Sequence, residues 1–226
     1  MMLPLGIDLL GGPRHLVALG AHPDDIEIGC GGTLLRLAES VPGLTADFVV
    51  ATGTPQRLAE ARRGAELFLP GCEVSVRTAG LPDGGLPDGG LPDGRLPAHW
   101  DAVKELLEDT ARSRSADLVL APNQGDAHQD HRTVAELATT VWRDHLVLRY
   151  EIPKWDGDLG RPWLYVPLSE EHLREKVDRL RKAFPSQAGQ HWFDDEVFLG
   201  LARLRGMECR ARYAEAFVTT KATLTW

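Results

Sequence analysis

Two short stretches of the 226-residue sequence concentrate imidazoles and carboxylates: AHPDDIEIGCGG, Ala21 to Gly32, and APNQGDAHQDHR, Ala121 to Arg132. His22, Asp25, His128 and His131 are side chains of the kinds that bind zinc. Two histidines and one carboxylate around an open fourth position is the donor set of a catalytic zinc site. Asp24 and Asp25 are adjacent and cannot point the same way from an extended turn, so one can bind metal while the other faces a water as general base. In HQDH, His128 and His131 are three apart and converge on one side of a helix opening near Asp130. One imidazole can bind metal while the other donates a proton or hydrogen bond to a developing oxyanion, with Asp130 orienting it.

Each motif alone has a plainer reading, HPDD as a turn that caps the next helix and HQDH as a solvated helix start. Together they argue for a metal site only if the fold brings them together. His15, His99, His145, His172 and His191 have no comparable neighbours and read as surface or satisfied core.

The elements needed to unite the motifs are legible. RHLVALGA (14–21), ADFVVAT (46–52), EVSVRT (73–78), ADLVLAP (116–122) and HLVLRYEIP (145–153) read as strands. GGTLLRLAES, TPQRLAEARRGAELFL, PAHWDAVKELLEDTARSRS and the stretch from about His131 to Arg143 carry apolar residues at helical spacing. The tail reads as a strand LYVPL, two helices within SEEHLREKVDRLRKAF and DDEVFLGLARLRG, and a closing YAEAFVTT. This alternation predicts an α/β fold, a Rossmann-like three-layer sandwich on a mostly parallel sheet, with residues 1–226 as one domain. In a strand order of 3-2-1-4-5, strands one and four adjoin at the switch point, and ligands sit beyond their carboxyl ends. The two motifs come directly after those two strands.

Composition narrows the partner. A formal net charge of −8 argues against a nucleic-acid surface and favours a small neutral or cationic ligand. Cys30, Cys72 and Cys209 show no paired spacing, which suggests reduced thiols. No export signal or membrane span is visible, so the expected compartment is the cytoplasm. Gly29, Gly31 and Gly32 do not match either phosphate-loop fingerprint and read as a close backbone passage. KWDGDLGRPW (154–163) is a polar loop on the side where substrate should enter, while the charged helix EEHLREKVDRLRKAF reads as a solvated face. GLPDGGLPDGGLPDGRLP (80–97) writes one five-residue unit three times, too short for a solenoid, and predicts a flexible exposed loop of successive turns.

LVALGAHPDDIEIGCGGTL (16–34), HQDH (128–131), EIP (151–153), VPLSEE (166–171), PSQ (185–187) and YAEAF (213–217) resemble the LmbE-like/PIG-L family of zinc-dependent deacetylases over almost the whole chain. The resemblance implies one zinc per chain on His22, Asp25 and His131, Asp24 as general base, His128 as the imidazole that stabilises the oxyanion and protonates the amine, and Asp130 as its partner. It implies that an acetyl group is removed from an N-acetylated amino sugar or glycoconjugate, with zinc polarising the acetamide and activating water. Arg62, with Arg63 as competitor, and Asp93, with Asp83 and Asp88 as rivals, are the substrate-binding positions it suggests. The resemblance also suggests a homo-oligomer. The chain departs from the family pattern in the short ATGTPQR after strand two and in its three Pro-Asp-Gly copies. An amidase acting on a larger sugar–thiol conjugate, or a non-catalytic binding protein of the same fold, are the alternatives.

Overall fold

The computed structural model describes residues 14–78 and 94–223. Its strands are β1 (His15–Gly20), β2 (Thr45–Val50), β3 (Glu73–Thr78), β4 (Leu118–Pro122), β5 (Val147–Tyr150), β6 (Leu164–Leu168) and β7 (Tyr213–Val218). The α-helices are α1 (Asp25–Ser40), α2 (Pro55–Phe68), α3 (Trp100–Ser113), α4 (Gln129–Val141), α5 (Glu170–Ala183) and α6 (Asp195–Glu208). The strands form one sheet in the order β3-β2-β1-β4-β5-β7-β6. The first five are parallel neighbours, and β7 runs antiparallel to both β5 and β6. The expected 3-2-1-4-5 order is therefore present, extended by an antiparallel pair on one edge.

Strand alternation splits the interior in two. Leu16 and Ala18 of β1 join Ile26 and Leu34 of α1, Phe68 of α2 and Leu180 of α5 on one face. Val17 and Leu19 join Val103 and Leu107 of α3 and Val134 and Leu137 of α4 on the other. Strands so covered are apolar on both faces, as parallel strands must be. Each large buried side chain of this kind contributes about 1.5–3 kcal/mol.

Helix α1 begins at Asp25, earlier than the GGTLLRLAES pattern predicts, and takes the three glycines into its length. A Cβ on Gly29 would stand 2.1 Å from the Tyr150 ring, one on Gly31 2.4 Å from Phe68, and one on Gly32 2.4 Å from Leu168. These glycines let α1 lie close against the sheet and α2. Tyr150, fully buried, also donates its hydroxyl to the Leu19 carbonyl at 2.5 Å. At Cys30 the helix leaves helical geometry, with φ −144° and ψ 21°. The N–H groups just beyond the kink are taken up by the buried Glu215, which accepts from Gly32 at 2.9 Å and Thr33 at 2.7 Å and pairs with Lys176 at 2.7 Å. The Glu of YAEAF thus satisfies the N–H groups that the kink within α1 frees. Among the described residues no helix is long and apolar enough to cross a membrane.

Candidate active site

The turn after β1 carries His22, Asp24 and Asp25, and the loop after β4 carries Asp126, His128, Asp130 and His131. Since β1 and β4 are hydrogen-bonded neighbours, the two loops meet beyond their carboxyl ends, beside a cavity of about 270 Å³.

Asp25 is fixed by its own turn. Its Oδ2 accepts the N–H groups of Ala21 and His22, each at 2.8 Å, so Oδ1 is left to face His131 Nε2 at 3.3 Å. His22 Nδ1 lies 3.2 Å from His131 Nε2 and 3.6 Å from Asp25 Oδ2. One donor atom from each of the three residues therefore falls within 4.8 Å of the other two. The far nitrogen of each ring faces a carboxylate: His22 Nε2 meets Asp130 Oδ2 at 3.3 Å, and His131 Nδ1 meets Asp126 Oδ2 at 2.9 Å. A carboxylate behind a ring holds the proton on that nitrogen, so both near nitrogens turn lone pairs inward toward the Asp25 oxygen. Three acceptors facing one another is a poor arrangement for bare side chains and a good one for a cation. Without a cation, burial disfavours charge on His131, but the nearby Asp25 carboxylate outweighs it and pushes the imidazole up to about 9. Burial likewise works against ionised Asp25, and His131 and His22 overcome it to hold the carboxyl well below its ordinary range.

His22, His128 and Asp130 form a second possible group within the same 4.8 Å span. It fits less well, because Asp130 is already engaged by the backbone: Oδ2 accepts the Gly94 N–H at 2.8 Å and Oδ1 the Leu96 N–H at 2.9 Å.

Asp24 is buried at the N-terminus of α1 with φ 118°, a left-handed conformation rarely adopted by a residue with a Cβ. Backbone strain of this kind concentrates at functional sites. Its Oδ2 receives Arg57 Nη2 at 2.8 Å. Burial pushes the Asp24 carboxyl up to about 6, with Arg57 pulling down and Asp25 adding to the rise. Arg57 is itself braced, Nη1 donating to Glu60 Oε2 at 2.8 Å, and Glu60 in turn accepts Ser186 N–H at 2.9 Å and O–H at 2.7 Å. The PSQ motif thus positions Arg57 from the far end of the chain.

His128 caps α4, its Nδ1 accepting the Asp130 N–H at 3.2 Å. The neutral ring then carries its proton on Nε2. It stacks at 4.7 Å and 28° on the His131 ring. The Asp130 carboxylate faces His22, and the Asp130 backbone N–H donates to His128. The cause is helix capping, which leaves N–H groups of the first turn free for the cap side chain.

Arg62 is exposed, as is Arg63, which donates to the Lys182 carbonyl at 3.3 Å. Arg57 is the arginine that lines the cavity. The two positions, 57 and 62, are about 140° apart around α2, so both cannot face the site. Asp93 and the repeat up to it lie outside the described residues. Asp126 belongs to the second motif, yet its spacing from His131 gives no signal of a role, since the contact depends on how the loop folds back. Lys154 Nζ, 3.0 Å from Asp126 and 2.5 Å from Asp158, ties the loop after β5 to the same carboxylate. Cys30 is buried away from these donors, its thiol donating to the Ile26 carbonyl at 3.1 Å.

The profile of the PIG-L family, described as GlcNAc-PI de-N-acetylase, matches residues 17–142. An uncharacterized deacetylase, YaiS of Escherichia coli K12, is 28% identical over 178 residues, covering 75% of this chain and 90% of the relative. The N,N′-diacetylchitobiose deacetylase of Pyrococcus horikoshii superposes with a TM-score of 0.69 at 19% identity, over 92% of this chain and 84% of that one. GalB of Pseudomonas putida KT2440, a 4-carboxy-2-hydroxymuconate hydratase, superposes with a TM-score of 0.67 at 17% identity, over 94% and 98%. At such identities the structural likenesses show the fold, which serves more than one reaction.

Proposed function

Because the chain belongs to the PIG-L family of deacetylases, we propose that it is a zinc-dependent hydrolase that removes the acetyl group of an N-acetylated amino sugar or glycoconjugate. The observation that carries this reading is the convergence of His22 Nδ1, Asp25 Oδ1 and His131 Nε2, with a carboxylate behind each ring, beside a cavity that also presents Asp24 and His128.

In the proposal His22, Asp25 and His131 hold one zinc ion, which when bound would polarise the acetamide and make water a competent nucleophile at neutral pH. Asp24, kept ionised by Arg57, takes the proton from the attacking water. His128, with its Nε2 proton, donates to the carbonyl oxygen as negative charge grows there. The proton taken by Asp24 leaves with the amine, so that amide and water become acetate and free amine. Asp130 and Asp126 keep the two ligand imidazoles in the tautomer the metal needs. Of the suggested substrate contacts, Arg62 faces away from the cavity and Arg57 takes its place in the proposal. Asp93, outside the described residues, keeps its proposed role as a substrate-binding residue.

The test is metal content together with product. The protein is expected to carry about one zinc per chain and to release acetate and free amine in equal amounts from at least one member of a panel of N-acetylated sugars. Protein free of bound metal after zinc loading, or loss of a fragment larger than acetyl, would overturn it.

A further inference from the structure

Trp155 lines the cavity, yet is 72% exposed. Its indole Nε1–H donates to His191 Nδ1 at 3.0 Å, and the two rings are inclined by only 11° with centroids 6.3 Å apart. That separation is too wide for face-to-face stacking, and the hydrogen bond joins ring edges. The two rings therefore lie side by side as one nearly flat surface.

The surface is held still. The hydrogen bond fixes the indole's rotation, and the preceding Lys154 is tied to Asp126 at 3.0 Å and Asp158 at 2.5 Å. Asp158 Oδ2 also accepts the Ala127 N–H at 2.6 Å, fastening the loop to the segment that carries His128. Trp155 therefore holds an apolar face at the rim of the cavity on a loop fixed in place. The cavity, about 270 Å³, is at the small end for ligand sites and leaves room for little beyond the ring bearing the acetamide. Anything attached to that ring must leave across the rim where Trp155 stands. A pyranose ring presents a flat face of C–H groups, which packs against an aromatic plane, and the chain's net charge of −8 disfavours a polyanionic occupant.

We propose that the coplanar Trp155–His191 pair is a platform for a second sugar ring, so that the preferred substrate is an N-acetylated glycan of at least two rings rather than the free N-acetylhexosamine. The inference rests on the deacetylase reading for its acetylated ring, and on the rim geometry for the second.

The experiment compares kcat/KM for N-acetylglucosamine and its β-1,4-linked disaccharide in the zinc-loaded wild type, Trp155→Ala, Trp155→Phe and His191→Ala. The wild type is expected to favour the disaccharide by about tenfold or more, Trp155→Ala to collapse that ratio toward one, and the other two variants to fall between. A wild type without preference, or a Trp155→Ala ratio equal to the wild type's, overturns the platform. If neither sugar is turned over, the deacetylase reading fails separately, and calorimetric titration of wild type and Trp155→Ala with both sugars decides the platform. Tighter disaccharide binding that Trp155→Ala abolishes supports it; equal binding of both sugars, or no binding, overturns it.

Discussion

Arg57 Nη2 lies 2.8 Å from Asp24 Oδ2, and both side chains are largely withdrawn from water. An acid buried alone at this depth would hold its proton at neutral pH, and a protonated Asp24 cannot act as a base. With the guanidinium in place its carboxyl is pushed up only to about 6. The value of kcat/KM is therefore expected to be full above this range and to fall as pH drops through about 6. Arg57→Met removes the cation, favours the neutral carboxyl and moves that acid limb to higher pH. A pH–rate profile of the two proteins checks the direction. Arg62→Met, on the exposed face of α2, is expected to leave the limb where it is.

Asp24→Asn keeps the shape of the turn and removes the base. Zinc content by mass spectrometry should match the wild type, while kcat drops by about 10²–10⁴-fold. Retained turnover would assign the proton transfer to another group.

Asp126 and Asp130 stand behind His131 and His22, the two imidazoles proposed to hold zinc. Asp126→Asn and Asp130→Asn should each weaken zinc binding by about 10–100-fold in a chelator competition. Asp130→Asn should also speed amide exchange at Gly94 and Leu96, which lose a charged acceptor, and Asp126→Asn should leave those two amides protected.

Gly29→Ala places a methyl group within 2.1 Å of the Tyr150 ring. The helix must move off the sheet, at a cost of about 1–3 kcal/mol in urea unfolding. Gly43→Ala, where nothing lies within 4 Å of the added carbon, meets no such contact, and any loss there comes from its φ of +76° alone.

Removing Gly85 to Gly94 joins Gly84 to Arg95 and restores the local sequence LPDGRLP. The shortened chain should bind zinc as the wild type does, because a glycine still precedes Arg95 and offers its N–H to Asp130. Removing Asp93 and Gly94 instead joins Pro92 to Arg95 and puts the proline in the place of Gly94, two residues before Leu96, with no N–H at that position to give. Zinc titration of both deletions separates the cases.

The site is readable in the sequence to the extent that it depends on strand order. HPDD and HQDH end neighbouring strands, and a parallel sheet with helical crossovers leaves few ways to arrange them. The features that stay hidden in the sequence depend on where long side chains reach. Arg57 and Arg62 are equivalent by composition, and only the packing of α2 against α5 and the PSQ turn brings Arg57 to Asp24. Asp126 meets His131 through a fold of the loop that no periodicity encodes. The start of α1 is hard to read because glycines weaken a helix signal, whereas here close approach to Tyr150 and Phe68 demands them. The insertion of β7 between β5 and β6 joins segments far apart in the chain, and local pattern carries no record of such a pairing.

The hold of Asp130 on Gly94 and Leu96 has a genetic consequence. Each five-residue unit ends in the same Pro-Asp-Gly, so gain or loss of whole units would still leave a glycine N–H next to Arg95 for the carboxylate to accept. Selection on catalysis then sees the last copy and is nearly blind to the number before it. Copy number at this locus is then expected to vary between lineages, and foreign sequence is expected to be tolerated before the last copy, upstream of Asp93 and Gly94.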